Sequence, residues 1–224
     1  MNLLLTGATG TAGSKALEAA LGDKRVKKVT VLSRKALGLK HPKLKVLLMD
    51  DFSDYSKVKK DLKGQDACLW CLGISQNAVD EADYIRITYD YALAAAKALL
   101  KASPKAAFCF LSGDGAATSE KSPMLFGRIK GKTENALGRL GFKRLYHFRP
   151  GYIHPTKDQP KKLVYERIME PLTPLLRRFI PSMIVSSADL GKAMVEAACE
   201  GAPKRVLSNL DILALAKKAR IPKR

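Results

Sequence analysis

Leu3-Leu4-Leu5-Thr6-Gly7-Ala8-Thr9-Gly10-Thr11-Ala12-Gly13 is the most informative stretch of this 224-residue chain. An apolar run gives way to three glycines in the spacing G-x-x-G-x-x-G, and residues 12–21 then have a helical pattern. A strand, a tight glycine turn and a helix in this order present backbone N–H groups and the positive end of a helix dipole to an anion. The alternative is a plain tight turn, but the strand–turn–helix context favours a site for a dinucleotide pyrophosphate. The predicted contacts are Gly7, Thr9, Gly10, Thr11, Ala12 and Gly13.

Apolar and helical segments alternate over the first 150 residues. The predicted strands are 2–6, 29–32, 46–49, 67–72, 106–111 and 144–149, and the predicted helices are 12–21, 54–62, 79–101 and 124–140. Continuous apolar strands, without alternating polar residues, are typical of a sheet that is buried on both faces. The pattern therefore predicts an α/β fold with a doubly wound, mostly parallel sheet of the Rossmann type.

The pattern changes near residue 150: six prolines occur within about 30 residues, from Pro150 to Pro181. The segments predicted beyond this point are helices over 161–179, 187–199 and 209–219 and a short strand over 205–207. We expect a dinucleotide-binding core over 1–155 and a small appended lobe over 156–224. This lobe would cover the substrate cleft and close the fold within one structural domain.

The charge balance is strongly basic, with 40 Lys and Arg against 21 Asp and Glu and a formal net charge of +19. Nucleic acid, an anionic membrane and an anionic ligand are all compatible with such a charge. The cations are spread along the chain and aromatic residues make up only 7%, which argues against nucleic acid. Peripheral membrane contact through 163–185 remains possible.

The spacing of the cysteines and the first residues of the chain give an indication of the cellular compartment. The four cysteines form no disulfide framework, and Cys68 and Cys71 point to opposite faces of a strand, so that we expect core cysteines and no metal site. Met1 and Asn2 lead directly into the first strand without the pattern of a signal peptide. We therefore expect a cytoplasmic protein.

The end of the second strand bears on the choice of cofactor. A ribose 2′-hydroxyl usually meets an acidic residue about 20 residues after the glycines. Here the strand runs into Ser33, Arg34 and Lys35, with no carboxylate. Arg34 would pair with a 2′-phosphate and Lys35 would add a point charge, which favours NADP over NAD. The alternative is that both are ordinary surface cations.

Two further strand ends carry candidate cofactor contacts. Asp51 and Phe52 follow the third strand and would flank an adenine. Leu72 and Gly73 lie at the end of the fourth strand, where backbone would approach the ribose. Open α/β sheets bind their ligands at the carboxyl ends of the strands.

These motifs carry a family resemblance, which covers most of the first 155 residues. The chain resembles the extended and atypical short-chain dehydrogenase/reductases, and within them the group of Tat-interacting-protein oxidoreductases and NAD-dependent epimerase-like proteins. The matching segments are Thr6–Gly10, Asp51-Phe52, Cys71–Gly73, Tyr84–Arg86 with Asp90-Tyr91, Phe126–Gly131 and Phe148–Gly151. The resemblance implies NADP as cofactor, a nicotinamide near Pro150 and Gly151, and no settled substrate.

The resemblance also implies a catalytic Tyr-x-x-x-Lys pair and a serine. Lys130 stands at the lysine position, but Phe126 stands where tyrosine belongs. Ser112 is the best serine candidate, although relatives often carry a second serine where Gly113 stands, and Ser119 and Ser122 are alternatives. Phenylalanine has no proton to donate, and loss of a general acid typically costs about 10²–10⁴-fold in rate. Tyr152 and His154 are substitutes on position alone, and packing is the simpler interpretation of both.

Two classes of function follow. The first is an NADP-binding oxidoreductase-like protein that transfers hydride to or from a small carbonyl or alcohol. The second is a non-catalytic NADP(H)-binding sensor or interaction protein. The chain would be a monomer or a homodimer, with its small-molecule substrate unknown.

Overall fold

The computed structural model describes residues 1–159, 179–180 and 182–219. Within them, seven strands form one parallel sheet in the order β3-β2-β1-β4-β5-β6-β9. The strands are Asn2–Thr6 (β1), Lys28–Ser33 (β2), Leu44–Leu48 (β3), Ala67–Trp70 (β4), Ala107–Leu111 (β5), Leu145–Phe148 (β6) and Val206–Leu207 (β9). Tyr152–His154 (β7) and Ile184–Ser186 (β8) form a separate parallel pair. The predicted doubly wound parallel sheet is confirmed.

Helices cover both faces of the main sheet. They are Thr11–Gly22 (α1), Lys59–Leu62 (α2), Glu81–Ile85 (α3), Tyr91–Ala102 (α4), Leu125–Gly138 (α5), Ser187–Glu200 (α6) and Asn209–Lys218 (α7). Side chains alternate between the faces of a strand. Leu3 and Leu5 of β1 therefore pack in one core cluster with α1, α6 and α7, while Leu4 packs in a second cluster with α2 and α4. No helix in the described part of the chain is long and apolar enough to span a membrane.

The long helix predicted over 79–101 is interrupted by a π-helical turn, Arg86–Asp90, between α3 and α4. Buried residues recur here at a spacing of four, at Tyr84, Thr88, Ala92 and Ala96. A spacing of four drifts around an α-helix of 3.6 residues per turn. One wider turn corrects the drift, so that these residues keep facing the core.

The C-terminal part contributes directly to the core. β9 pairs with β6 at the edge of the main sheet, and α6 packs on α1. β8 lies in a stretch for which the sequence predicts no strand, and the helix predicted over 161–179 lies, apart from Phe179, outside the described residues. The boundary at residue 155 and a cleft-covering role for the following residues remain predictions.

Contact between α1 and α6 depends on one glycine. A Cβ atom at Gly191 would lie 2.6 Å from the carbonyl carbon and oxygen of Lys15. The two helix backbones therefore touch at Gly191, which sets the distance of α6 from α1.

We predict that Gly191→Ala destabilises the protein by about 1–3 kcal/mol, because a methyl group there overpacks a backbone contact. Gly138→Ala is the matched control, since a Cβ at this helical glycine would meet only the Arg205 side chain at 3.7 Å. The control substitution should raise the free energy of unfolding by about 0.5 kcal/mol, because alanine has a higher helix propensity than glycine. Urea unfolding of both variants checks this, and equal effects would show that the α1–α6 contact is not tight.

Candidate functional site

The glycine turn is packed without space for side chains. Gly7 has φ +69°, and a Cβ there would lie 2.4 Å from the carbonyl oxygen of Cys71. A Cβ on Gly13 would lie 2.1 Å from the carbonyl oxygen of Gly7. The N-cap of α1 is Gly10, which offers no side-chain acceptor to the N–H groups of the first turn. These groups are therefore left for a ligand.

A cavity of about 180 Å³ lies between this turn and the ends of the neighbouring strands. Parallel strands end at the same edge of a sheet, so residues far apart in sequence meet here. Seven of the predicted cofactor contacts line the cavity: Gly7, Thr9, Ser33, Arg34, Lys35, Phe52 and Leu72. Ala8 and Leu32 complete the described lining, which contains no carboxylate.

The basic side of this cavity is shaped by a short turn. The Ser33 hydroxyl donates to the carbonyl oxygen of Lys35 at 2.7 Å and accepts from the N–H of Lys35 at 3.2 Å. Arg34 and Lys35 are exposed, and neither forms an ion pair within the described ranges. Both cations are thus available to an anionic ligand.

Other predicted contacts lie outside the cavity lining. Asp51 is exposed, and its carboxylate accepts hydrogen bonds from the N–H and hydroxyl of Ser53. Ala12 is buried in a core cluster, and Gly73 does not line the cavity. Gly10 and Thr11 line a second cavity, of about 250 Å³, on the α1 side of the turn.

Pro150 and Gly151 are held by the fold itself. The Pro150 carbonyl accepts from the N–H of Asp114 at 2.8 Å. A Cβ on Gly151 would lie 2.2 Å from the carbonyl oxygen of Met183, so close packing beside β8 accounts for this glycine. A nicotinamide contact by either residue remains a prediction.

A further cavity of about 490 Å³ opens between α1 and residues 36–41. Its described lining residues include Leu17, Leu21, Leu37 and Leu39 but no Lys or Arg. Because cations and N–H groups are what a dinucleotide phosphate requires, the smaller basic cavity is the better cofactor site.

At the end of β5, Ser112 belongs to a buried ionic network. Its hydroxyl donates to Oε1 of Glu134 at 2.5 Å. Arg149 binds the same carboxylate with two donors, Nε to Oε1 at 2.9 Å and Nη2 to Oε2 at 2.5 Å. The Ser112 hydroxyl proton is therefore already committed. Glu134 and Arg149 are not among the predicted site residues, although Arg149 lies in the matching segment Phe148–Gly151 and Glu134 follows the segment Phe126–Gly131 by three residues.

Lys130 lies buried beside this network. Its Nζ donates to the carbonyl oxygen of Leu111 at 2.8 Å and lies 4.8 Å from the ring centroid of Phe110. Burial lowers the pKa of Lys130 to about 8, against an opposing effect of the Glu134 carboxylate. The ammonium group therefore lies at the carboxyl end of β5, and a role of Lys130 in catalysis or in cofactor binding remains a prediction.

Phe126 fills the space beside Gly113. Its N–H is held by Oε1 of Gln76 at 2.7 Å. A Cβ on Gly113 would lie 2.4 Å from Cζ of the Phe126 ring. The ring tip therefore occupies the space that a serine side chain at position 113 would need. Neither position carries a hydroxyl group.

The structure also places the remaining candidate side chains. Tyr152 and His154 lie in β7, with ring centroids 6.3 Å apart. Cys68 and Cys71 face different core clusters. Among the described residues, no group of three or more His, Cys, Asp or Glu side chains is arranged to hold a metal ion.

This fold and turn define a class: a Rossmann protein with a dinucleotide site at the carboxyl edge of its sheet. A sequence model of the NAD(P)H-binding family matches residues 7–130. The chain belongs to this NAD(P)H-binding family, and the resemblance to short-chain dehydrogenase/reductases is confirmed.

Named relatives agree with this assignment. Protein HTATIP2 of Rattus norvegicus is 30% identical over 68% of this chain and 62% of its own length. Leucinostatins biosynthesis cluster protein T of Purpureocillium lilacinum is 35% identical over 51% of this chain and 44% of its own length. The chain thus spans less than two thirds of each of these relatives. Protein FMP52-2, mitochondrial, of Scheffersomyces stipitis is 26% identical over 96% of this chain.

Solved structures support the fold. A UDP-glucose 4-epimerase of Thermotoga maritima has a TM-score of 0.67 at 17% identity, covering 100% of this chain and 84% of the epimerase. A short-chain dehydrogenase family protein of Francisella tularensis has a TM-score of 0.66 at 15% identity, covering 89% of this chain and 91% of that protein.

The expectation of a cytoplasmic protein is wrong by these comparisons. FMP52 relatives from Meyerozyma guilliermondii, Candida albicans, Scheffersomyces stipitis and Emericella nidulans are all named mitochondrial. The start of the chain was a poor guide because the absence of a signal-peptide pattern does not identify a compartment.

The buried lysine gives a pH prediction. The folded-state pKa of Lys130, about 8, lies below its usual 10.5. Between these values the unfolded chain binds more protons, so stability rises with pH. From pH 7 to pH 9.5, the free energy of unfolding of wild type should rise by about 2 kcal/mol relative to that of Lys130→Met. Urea unfolding of both proteins at the two pH values measures this difference, and a constant difference would contradict burial of a titrating lysine.

Proposed function

We propose that this chain binds NADP(H) and lacks the tyrosine-dependent proton relay of short-chain reductases, so that it acts as an NADP(H)-binding sensor or interaction protein. NADP preference is supported by the basic cavity beside the glycine turn. Arg34 and Lys35 line it with no carboxylate among its described lining residues. An acidic residue there would repel a 2′-phosphate and would accept from a ribose hydroxyl instead.

The residues fit a dinucleotide in two respects. The uncapped first turn of α1 has N–H groups to donate to a pyrophosphate. Arg34 has a guanidinium group that can bind a phosphate with two parallel hydrogen bonds. When bound, the nicotinamide ring supplies hydride chemistry, and the protein supplies binding and orientation.

We predict that Arg34→Ala weakens NADPH binding by about 10- to 100-fold, the loss expected for hydrogen bonds to a charged group. NADH binding should not change, because NADH lacks the 2′-phosphate. Arg139→Ala, which removes an exposed arginine after α5, is the matched control. Calorimetric titration of nucleotide-free protein checks both. Equal losses for NADPH and NADH would contradict the phosphate clamp.

Loss of the relay is supported by three contacts around β5. The Ser112 hydroxyl donates to Glu134, the Lys130 ammonium donates to a backbone carbonyl, and the Phe126 ring is packed against Gly113. A general acid must lie within hydrogen-bond reach of the substrate oxygen and have a proton to give. Phe126 has none, and Ser112 already has an acceptor.

Hydride transfer to or from a small carbonyl or alcohol is the second candidate. It is favoured by Lys130, whose buried ammonium lies at the end of β5, where short-chain reductases hold the nicotinamide ribose. Hydride transfer without the tyrosine would need a proton from another group or from water.

The paired substitution Gly113→Ser/Phe126→Tyr tests the loss of the relay. Phe126→Tyr alone should restore little activity, because its hydroxyl would extend from the Cζ atom that already abuts Gly113. A serine side chain at position 113 would occupy that space. The tyrosine ring at position 126 would then be directed into the proposed substrate cleft. We expect NADPH-dependent reduction of small aldehydes and ketones to rise about 100-fold in the double variant.

Two results would contradict this account. Turnover by wild type at the rate of the double variant would favour the oxidoreductase candidate. Equal activity of Phe126→Tyr and the double variant would show that the packing of Phe126 on Gly113 does not control the position of the ring.

A further inference from the structure

The second cavity beside the glycine turn contains an ion pair that the cofactor site does not require. Its described lining residues are Thr9, Gly10, Thr11, Ser14, Lys15, Glu18, Asp158 and Gln159. Thr9 also lines the basic cofactor cavity, so that the two cavities meet at the turn. Lys15 follows Thr11 by four residues and lies on the same face of α1.

Residues 156–159, here called the strap, attach to this end of α1 through Gln159. Its Nε2 donates to the carbonyl oxygen of Thr11 at 2.8 Å and to the Ser14 hydroxyl at 2.7 Å. Its Oε1 accepts from the Ser187 hydroxyl at 2.6 Å. One amide side chain thus joins the first turn of α1 to the first turn of α6.

Lys15 forms the charged part of the same attachment. Its Nζ donates to Asp158 at 2.5 Å and to Glu18 at 2.7 Å. Its side chain is only 10% exposed, whereas that of Asp158 is 66% exposed. The hydrogen bond from Lys15 is the main reason that the pKa of Asp158 falls to about 2. Lys15 is the single cation among the described lining residues, and it faces two carboxylates.

We infer that Asp158 competes with the cofactor pyrophosphate for Lys15, so that binding of the dinucleotide breaks this ion pair and loosens the strap, which Gln159 still attaches to α1. This inference rests on the proposed function and names a regulation of the same site. A pyrophosphate on the first turn of α1 brings negative charge toward Asp158 and Glu18. Lys15 can neutralise one anion fully, and the exposed carboxylate of Asp158 is the partner that can move into solvent.

Linkage makes the effect reciprocal. If cofactor binding weakens the contact between Lys15 and Asp158, then removal of the Asp158 charge must strengthen cofactor binding. Asp158→Asn should therefore tighten NADPH binding by about fivefold, the upper range for an exposed ion pair. Because Asp158 is exposed, the substitution leaves the core unchanged.

The experiment combines calorimetric NADPH titration with amide hydrogen exchange of residues 155–159. In wild type, saturating NADPH should increase exchange in the strap. Asp158→Asn should exchange faster without ligand and should show a smaller further increase. Glu200→Gln is the matched control, since it removes an exposed carboxylate paired with Arg25 at 3.1 Å and changes the net charge equally.

A double-mutant cycle separates this competition from general electrostatics. In a Lys15→Gln background, Asp158→Asn should improve NADPH affinity by a smaller factor than it does in the wild-type background. Glu200→Gln should have the same small effect in both backgrounds.

Each result is decisive. NADPH binding with unchanged or slower strap exchange overturns the inference and leaves the proposed function standing. Equal gains from Asp158→Asn and Glu200→Gln also overturn it, because a general charge effect then explains the affinity. If wild type binds no NADPH, both the proposed function and this inference fail.

Discussion

Close packing of the glycine turn against the end of β4 is the constraint on which the structure depends. Gly7 lies against the Cys71 carbonyl, and Gly13 lies against the Gly7 carbonyl, with no space for a Cβ at either position. This contact brings α1 close to the sheet and directs its first turn toward the strand ends. Gly191 has the same role between α1 and α6, because a Cβ there would meet the backbone of Lys15. These three glycines therefore set the distances between the sheet, α1 and α6. The same distances determine the shape of the candidate cofactor site at the carboxyl edge of the sheet.

The two ends of this edge differ in character. At one end, the glycine turn, two cations and an apolar wall are all present around the cavity that Arg34 and Phe52 line. At the end near β5, the groups expected to move a proton are engaged in structure. Glu134 binds both Ser112 and Arg149, and the Phe126 ring occupies the space beside Gly113. Buried ion pairs contribute little net stability but are costly to break. The network around Glu134 thus links Ser112, at the end of β5, to Arg149, at the end of β6.

Much of the fold was predictable, because apolar runs and the glycine spacing are local signals. The parallel sheet and the strand ends that line the cavity follow from these signals, whereas Lys130 was identified through the family resemblance. Contacts made by tertiary packing were not predictable. The Gln159 attachment joins residues far apart in sequence, and the pairing of Glu134 with Arg149 depends on the approach of α5 to β6. The π-helical turn was missed because a spacing of four also fits a short α-helix. Location was mispredicted because the absence of one targeting pattern carries little information.

We expect one dinucleotide to engage the glycine turn, the basic cavity and Lys15 together. The most direct test is a crystal structure of wild type grown with NADPH. The account predicts the 2′-phosphate within about 3 Å of the Arg34 guanidinium, the pyrophosphate on the first turn of α1, and Lys15 turned from Asp158 toward the pyrophosphate. A dinucleotide whose adenosine lies away from Arg34, with the contact between Lys15 and Asp158 intact, would contradict it.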